Sequence, residues 1–365
     1  MPTPPLSEDV LREAWDFANR AGTVAGGARE AGIPQKTFES RVAQAISRLG
    51  LPPIGASKKS WTAAPLPTKE RNLDDLLDAK RKQAILAQEF EEGTKLARIK
   101  IHTPGPIGLM IFGDPHIDSY GCDFNLLEAH LKIAKARPET IFPGNIGDIR
   151  DNWIGRLAML VWQNTFAAKE TWKLAEWLMS YIKWCWLIRG NHDMWAGDND
   201  PLDWISKLAE IGVDRDSGQR IAFEHPNGVE TRLHARHDFP GRSIYNANHG
   251  LGREARFGFR DHIIAAGHLH YGMDSAEVIG DVLIQMVRVS GYKRSDQYRH
   301  SRGFHPSTIH PAALIIVDPD QPDGSRSRCF VTPTVEEGAA YLDWRRAQFD
   351  AAEKARARKR SRAAK

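Results

Sequence analysis

Five short polar segments, each following an apolar run, constrain this chain of 365 residues more than any other feature. The apolar runs predict buried strands, and they are Ile107 to Phe112, Thr140 to Pro143, Trp184 to Ile188, Arg232 to Ala235 and Ile263 to Ala266. The polar segments are Gly113-Asp114-Pro115-His116, Gly147-Asp148-Ile149-Arg150-Asp151, Arg189-Gly190-Asn191-His192-Asp193, Arg236-His237-Asp238 and Gly267-His268-Leu269-His270. Because loops at one end of a sheet can gather distant side chains, the pattern predicts an α/β fold with one shared site.

The polar segments are rich in carboxylate, amide and imidazole groups, which suit Mn, Fe or Zn. Two such ions, about 3.5–4 Å apart, can clamp a phosphate when one ligand bridges them. The side chains of suitable type are Asp114, His116, Asp148, Asn191, His192, His237, His268 and His270. Since unpartnered buried charges are costly, a shared metal site explains them together.

The five segments resemble the D-x-H, G-D-x-x-D, G-N-H-D, H and G-H-x-H signatures of the calcineurin-like metallophosphoesterases, over about Ile107 to Tyr271. The resemblance implies a four-layer α/β/β/α sandwich with two divalent metal ions. Mn²⁺ is the favoured ion, and Fe, Zn, Ni and Mg are the alternatives. The implied ligands are Asp114, His116 and His270 for one metal, Asn191, His237 and His268 for the other, and Asp148 as the bridge.

The resemblance also implies a mechanism, in which a hydroxide held by the metals attacks the phosphorus in line. His192 would contact the phosphate and protonate the leaving group, and Asp151 would orient His192. Arg150 is a candidate phosphate contact, although an ordinary salt bridge is an equally good interpretation. Lys293 is expected to lie at the surface.

His237 is the expected histidine of the fourth segment, but two other histidines compete with it. Along the strand, alternation places His234 on the opposite face from His237, and His249 follows in a later loop. Trp153 and Trp195 flank the loops of the site, where they could stack a base or simply pack in the core.

The first 50 residues predict three short helices. Ala28 and Gly32, followed by Phe38, resemble the pattern of a DNA-binding helix-turn-helix. The candidate recognition helix, Pro34 to Leu49, would present Gln35, Lys36, Thr37, Ser40 and Arg41. A plain three-helix bundle for packing or protein contact is the alternative.

We predict four regions: a helix-turn-helix-like domain at 1–50, a linker and connecting helix at 51–96, a metallophosphoesterase domain at 97–333, and a last helix with a basic tail at 334–365. The last helix is predicted over Val335 to about Lys354. The formal charge is only +4, but the run Ala355 to Arg362 concentrates positive charge in a way that suits a nucleic-acid backbone or simply a solvated end.

Together these features favour a DNA-directed, metal-dependent phosphodiesterase, a nuclease that resembles phage or prophage phosphoesterases. The alternatives are a phosphodiesterase or phosphomonoesterase of small molecules, and a DNA-binding protein with an inactive metal site. Three scattered cysteines, no apolar run of roughly 18 residues and no signal-peptide pattern predict a cytoplasmic protein without a membrane partner.

Overall fold

The computed structural model of this protein describes residues 6–55, 71–154, 166–195, 201–243, 248–294 and 310–363, together with residues 158, 160, 161, 197, 245 and 246. Contacts between residues divide the chain into two compact units, Met1–Asp78 and Ala79–Lys365. Each unit has its own hydrophobic core. None of the helices in the described ranges is long and apolar enough to cross a membrane.

The N-terminal unit contains three short helices, α1 (Glu8–Arg20), α2 (Val24–Ala31) and α3 (Gln35–Leu49). The Thr23 side chain caps α2 by accepting a hydrogen bond from the Gly26 N–H at 3.0 Å. Gly32 ends the same helix in the left-handed conformation, with φ at 65°. The chain therefore turns from α2 into α3 over residues 32–34. The hydrophobic core of this unit includes Leu11, Ala14, Ala18, Ala28, Phe38, Val42 and Ala45.

The rest of the chain alternates helices and strands. The helices are α4 (Leu73–Thr94), α5 (Phe124–Lys135), α6 (Ala168–Tyr181), α7 (Asn191–Met194), α8 (Leu202–Leu208), α9 (His249–Phe257) and α10 (Val335–Ala363). The strands are β1 (Ala97–Lys100), β2 (Ile107–Phe112), β3 (Ile141–Asn145), β4 (Trp186–Arg189), β5 (Val213–Asp216), β6 (Gly218–Glu224), β7 (Glu230–Arg236), β8 (Ile263–Ala266), β9 (Met273–Ile279), β10 (Val282–Arg288), β11 (Ala312–Val317) and β12 (Cys329–Val331).

These strands form two six-stranded sheets, in the orders β1-β6-β7-β8-β10-β9 and β12-β11-β2-β3-β4-β5. Alternate residues of β2 face opposite cores. Leu109 and Ile111 pack between the two sheets, whereas Met110 and Phe112 pack against α5, α6 and α10. On the far side of the other sheet, Leu251 and Ala255 of α9 cover β8 and β10. The expected four-layer α/β/β/α sandwich is thus confirmed.

The structure also differs from the expected elements. Helix α10 continues to Ala363, so the basic run from Ala355 is helical rather than a tail that begins near Lys354. Its arginines and lysines lie in solvent, where Lys and Arg favour helix almost as well as Leu does. Strand β9 was not predicted, because all of its residues are exposed or half-buried and it pairs only at the sheet edge with β10. Strands β6 and β7 pair antiparallel and form a hairpin around Pro226, Asn227 and Gly228.

Candidate metal centre

The polar segments meet where the parallel strands of both sheets end. Strands β2, β3 and β4 are parallel neighbours in one sheet, and β7, β8 and β10 are parallel neighbours in the other. Since parallel strands end at the same edge, the loops after them share one region of space. The candidate site lies at this edge of the sandwich.

One group of side chains gathers around the Nε2 atom of His237. This atom lies 3.1 Å from the Oδ1 atom of Asn191, 3.1 Å from the Nδ1 atom of His268 and 3.2 Å from the Oδ2 atom of Asp148. The other ring nitrogen of His237 lies 2.8 Å from the main-chain oxygen of Ile146, to which it donates. Four potential ligand atoms therefore face one another.

A second group contains Asp114, His116 and His270, whose ligand atoms all lie within 4.8 Å of one another. The Nε2 atoms of the two histidines are 3.2 Å apart. The Oδ2 atom of Asp114 lies 3.5 Å from His270 Nε2 and accepts a hydrogen bond from the His268 N–H at 2.8 Å. The Oδ2 atom of Asp148 lies 3.8 Å from His116 Nε2, so Asp148 stands between the two groups.

The donor atoms of both groups suit divalent cations. Nitrogen and oxygen lone pairs face one another at close range, and the Oδ1 atom of the fully buried Asp114 has no hydrogen-bond partner among the described residues. Four of these residues also hold a left-handed backbone, with φ of 40° at His116, 53° at Asp148, 67° at His268 and 51° at His270. Strain of this kind collects at functional sites, because the surrounding structure must maintain it.

The loop that carries Asn191 approaches Asp148 so closely that only glycine fits at its start. A Cβ atom on Gly190 would lie 2.1 Å from the Oδ1 atom of Asp148. The buried carboxylate of Asp193 joins the two loops by accepting hydrogen bonds from the N–H groups of Gly190, Asp148 and Ile149 at 2.7–3.0 Å. Asp193 therefore supports the site from behind.

His192 lies beside the two groups with its ring between two indoles. The ring centroid is 4.1 Å from that of Trp195 and 5.0 Å from that of Trp153. Its main-chain N–H donates to Asp148 Oδ1 at 3.0 Å, and its Nε2 atom lies 4.0 Å from Asp148 Oδ2. Its Nδ1 atom contacts the main-chain oxygen of Asp151. With Nδ1 so engaged, Nε2 is the ring atom available to a substrate.

Asp151 contacts His192 through its main-chain oxygen rather than through its carboxylate. The carboxylate contacts His116 instead, with 2.8 Å between Asp151 Oδ1 and His116 Nδ1. The same oxygen accepts a hydrogen bond from the Lys293 ammonium at 2.7 Å. Lys293 is buried, contrary to the expected surface position. The sequence did not predict the burial of Lys293, because a single lysine after a strand carries no distinctive spacing.

Two arginines lie near the site. Arg150, a candidate for a phosphate contact or an ordinary salt bridge, stacks its guanidinium on Trp172 of α6, with its carbon 3.6 Å from the ring centroid. Arg242, which the sequence interpretation missed, lies 3.0 Å from His268 Nε2 through its Nη2 atom and pairs with Asp238 at 3.2 Å. The exposed guanidinium beside the ligand groups is therefore that of Arg242.

The two competing histidines lie elsewhere. The Nδ1 atom of His234 lies 3.1 Å from a carboxylate oxygen of Glu254 on α9, on the face of the sheet away from the site. His249 is exposed at the start of α9. Of the three candidates, the structure brings His237 to the ligand groups.

Burial and charge shift the pKa values of the site strongly. Burial raises the pKa of Asp114 to about 6 and lowers that of His192 to about 4. Burial also works against a charged His237, but the Asp148 carboxylate outweighs it and raises the pKa of His237 to about 10. For Asp148 the neighbouring histidines, led by His237, outweigh burial and hold the pKa well below its usual range. The group around Asp148 thus favours positive charge beside it.

The candidate DNA-contacting residues all lie on α3 of the N-terminal unit. Lys36, Thr37, Ser40 and Arg41 line a shallow cavity of about 380 Å³. Gln35 is exposed and donates from its side chain to Glu39 at 2.8 Å. These residues form a polar face with two positive charges, as expected from helical spacing.

Comparisons with known proteins give distant likenesses. No family model and no curated protein matches the chain. Among solved structures it is similar to a predicted phosphoesterase from Streptococcus pneumoniae TIGR4, with 14% identity over 63% of this chain and 98% of that chain and a TM-score of 0.28. It is similar to Vps29 of Entamoeba histolytica with Zn²⁺, at 10% identity over 62% of this chain and 98% of that chain and a TM-score of 0.32. It is also similar to a protein from Thermotoga maritima, with 10% identity over 62% of this chain and 99% of that chain and a TM-score of 0.26. We base the functional proposal on the side-chain geometry of this chain.

Proposed function

We propose that this chain is a dinuclear metal-dependent phosphoesterase that hydrolyses phosphodiester bonds of DNA. The observation that carries the proposal is the meeting of seven candidate ligands from five loops around Asp148. They are Asp114, His116, Asp148, Asn191, His237, His268 and His270. Such a set of oxygen and imidazole donors is typical of paired divalent metals that act on phosphate esters.

One ion would be held by Asp114, His116 and His270, and the other by Asn191, His237 and His268, with Asp148 between them. The favoured ion is Mn²⁺. Such ions would supply Lewis acidity, which neutralises charge on a phosphate and makes a water molecule a better nucleophile.

The protein itself orients the ligands through their outer atoms. His237 Nδ1 donates to the main-chain oxygen of Ile146, and His116 Nδ1 contacts the carboxylate of Asp151, so each Nε2 lone pair faces inward. His192, held at Nδ1 by the main chain of Asp151, keeps its Nε2 atom for the leaving oxygen of a substrate. Arg242 is placed to contact a phosphate oxygen.

The charges around the site favour bound cations. Five buried carboxylates lie at or next to the ligands, those of Asp114, Asp118, Asp148, Asp151 and Asp193. The buried ammonium of Lys293 balances one of them. Divalent cations among the ligands would relieve the cost of burying the other carboxylates.

The choice of DNA as substrate is supported by positive charge outside the sandwich. Lys36 and Arg41 lie on α3, and exposed arginines and lysines follow one another along the end of α10. Positive helices of this kind bind nucleic-acid backbones by releasing counterions. A small phosphodiester or phosphomonoester is the alternative substrate class, and kinship with phage phosphoesterases stays a prediction.

Removal of metal is the first test of the proposal. We expect EDTA-treated protein to lose hydrolysis by at least about a thousandfold, since the ions contribute several kcal/mol to the barrier, and Mn²⁺ to restore it. The assay compares single- and double-stranded DNA with bis-nitrophenyl and mono-nitrophenyl phosphate. Activity on the nitrophenyl esters but not on DNA would indicate a phosphoesterase of small molecules and would contradict the choice of DNA as substrate. Binding to DNA without metal and without any hydrolysis would instead indicate an inactive site.

Charge removal on α3 tests the proposed DNA contact. Lys36→Ala and Arg41→Ala should each weaken duplex binding and reduce the slope of log affinity against log salt by about 1, because each contact with a phosphate releases one counterion. Fluorescence anisotropy of a labelled duplex across a KCl series measures the slope. Arg12→Ala, an exposed arginine on α1, is the matched control. Slopes that equal the wild-type value would remove α3 from the interface.

A further inference from the structure

Lys293 is a buried cation next to a cluster that is proposed to bind cations. It follows β10, and its side chain is only 2% exposed. The segment that carries it is tied to the first polar loop, since the Tyr292 N–H donates to the main-chain oxygen of Asp114 at 2.9 Å. An ammonium in this position must be compensated by a partner, because an unpaired buried charge costs several kcal/mol.

Asp151 is a partner of both Lys293 and a candidate ligand. Asp151 Oδ1 lies 2.7 Å from Lys293 Nζ and 2.8 Å from His116 Nδ1. Asp151 therefore contacts both groups through one carboxylate oxygen.

The direction of the His116 ring depends on this contact. With Nδ1 in contact with Asp151, the Nε2 atom of His116 points to His270 Nε2 at 3.2 Å and Asp148 Oδ2 at 3.8 Å. Without Lys293, the carboxylate of Asp151 would lose its ammonium partner and would be held less firmly against the His116 ring. Rotation of that ring would then compete with metal binding.

We infer that Lys293 is a positioning residue for the first metal site, which acts through Asp151 to hold His116 with its Nε2 atom toward the ion. The inference rests on the proposed metal centre, but it does not depend on which ester is hydrolysed. It adds the segment after β10 to the five loops that build the site.

Lys293→Met tests the inference, because methionine keeps much of the length of the side chain and removes the charge. We expect the affinity for Mn²⁺ at the site of Asp114, His116 and His270 to fall about 10- to 100-fold, as for other residues that hold a metal ligand in place. The affinity at the site of Asn191, His237 and His268 should change little. Calorimetry gives both affinities. In Zn²⁺-loaded protein, the imidazole ¹⁵N spectrum should lose the single Nδ1–H signature of His116. Lys132→Met, an exposed lysine on α5 that pairs with Glu128, is the control and should match wild type.

A double variant separates a role through Asp151 from a general loss of structure. Lys293→Met combined with Asp151→Asn removes both charges of the Lys293–Asp151 pair, and the asparagine oxygen can still contact His116. The double variant should bind Mn²⁺ at the site of Asp114, His116 and His270 about tenfold more tightly than Asp151→Asn does. The reason is that positions 151 and 293 are in contact, so the effects of the two substitutions are not additive. This comparison stands even if Lys293→Met alone fails to fold.

Two outcomes would overturn the inference: wild-type affinities and an unchanged His116 signal in Lys293→Met, or a double variant that binds no better than Asp151→Asn. Failure of the proposed function gives a different result. In that case Lys293→Met would still bind Mn²⁺ more weakly than wild type, and the double variant would still bind it more tightly than Asp151→Asn, but the wild-type protein would hydrolyse no ester.

Discussion

Asp148→Asn is expected to abolish paired metal binding and to lower kcat/KM by about a thousandfold or more, because several kcal/mol of stabilisation come from the ions. The Asp148 carboxylate touches both ligand groups, with His237 Nε2 at 3.2 Å and His116 Nε2 at 3.8 Å. It also accepts from the His192 N–H at 3.0 Å. Asparagine has nearly the same shape but lacks the negative charge, so it cannot bridge two cations as well.

Mn²⁺ titration followed by electron paramagnetic resonance measures this effect, since coupled and isolated ions give different spectra. Asp216→Asn, an exposed aspartate at the end of β5, is the matched control and should behave as wild type. Thermal unfolding of both variants monitors the fold. If Asp148→Asn still binds two coupled ions and hydrolyses bis-nitrophenyl phosphate at the normal rate, Asp148 is not the bridge.

The loops of the site could be predicted from sequence because two independent signals agree at each of them. An apolar run marks a buried strand, and a metal-ligand type follows it within a few residues, as at Asp114 after β2 and His268 after β8. Parallel strands then bring their ends to one edge. The sandwich itself follows from the same runs, since β2 and β8 are apolar on both faces.

What could not be predicted are contacts that depend on the direction of a single side chain. The segment pattern says that Asp151 lies near the site, but only the folded geometry shows that its carboxylate meets His116 and Lys293. The neighbours of Arg150 in sequence suggested a phosphate contact or a salt bridge, whereas in the folded chain its guanidinium stacks on Trp172. Burial of Lys293 depends on how β10 and the first loop pack together, which no local pattern encodes.

His192→Ala is expected to keep metal binding and to lose about 10²- to 10⁴-fold in kcat on esters with poor alkoxide leaving groups, the usual contribution of a general acid. Its ring is held at Nδ1 by the main chain of Asp151 and enclosed by Trp153 and Trp195. Burial lowers the pKa of the ring to about 4, so it is uncharged before substrate binds. The negative charge of a bound phosphate then favours the protonated ring, from which Nε2 can donate to the leaving oxygen.

The dependence on the leaving group is the decisive measurement for His192. Nitrophenolate departs without a proton, so His192→Ala should lose much less activity on nitrophenyl esters than on alkyl esters or DNA. A plot of log kcat against the pKa of the leaving group should be steeper for the variant than for wild type. His249→Ala, exposed at the start of α9, should keep the wild-type slope. If His192→Ala loses activity equally on all esters, the ring positions the phosphate and does not donate the proton; if it loses Mn²⁺, its role is structural.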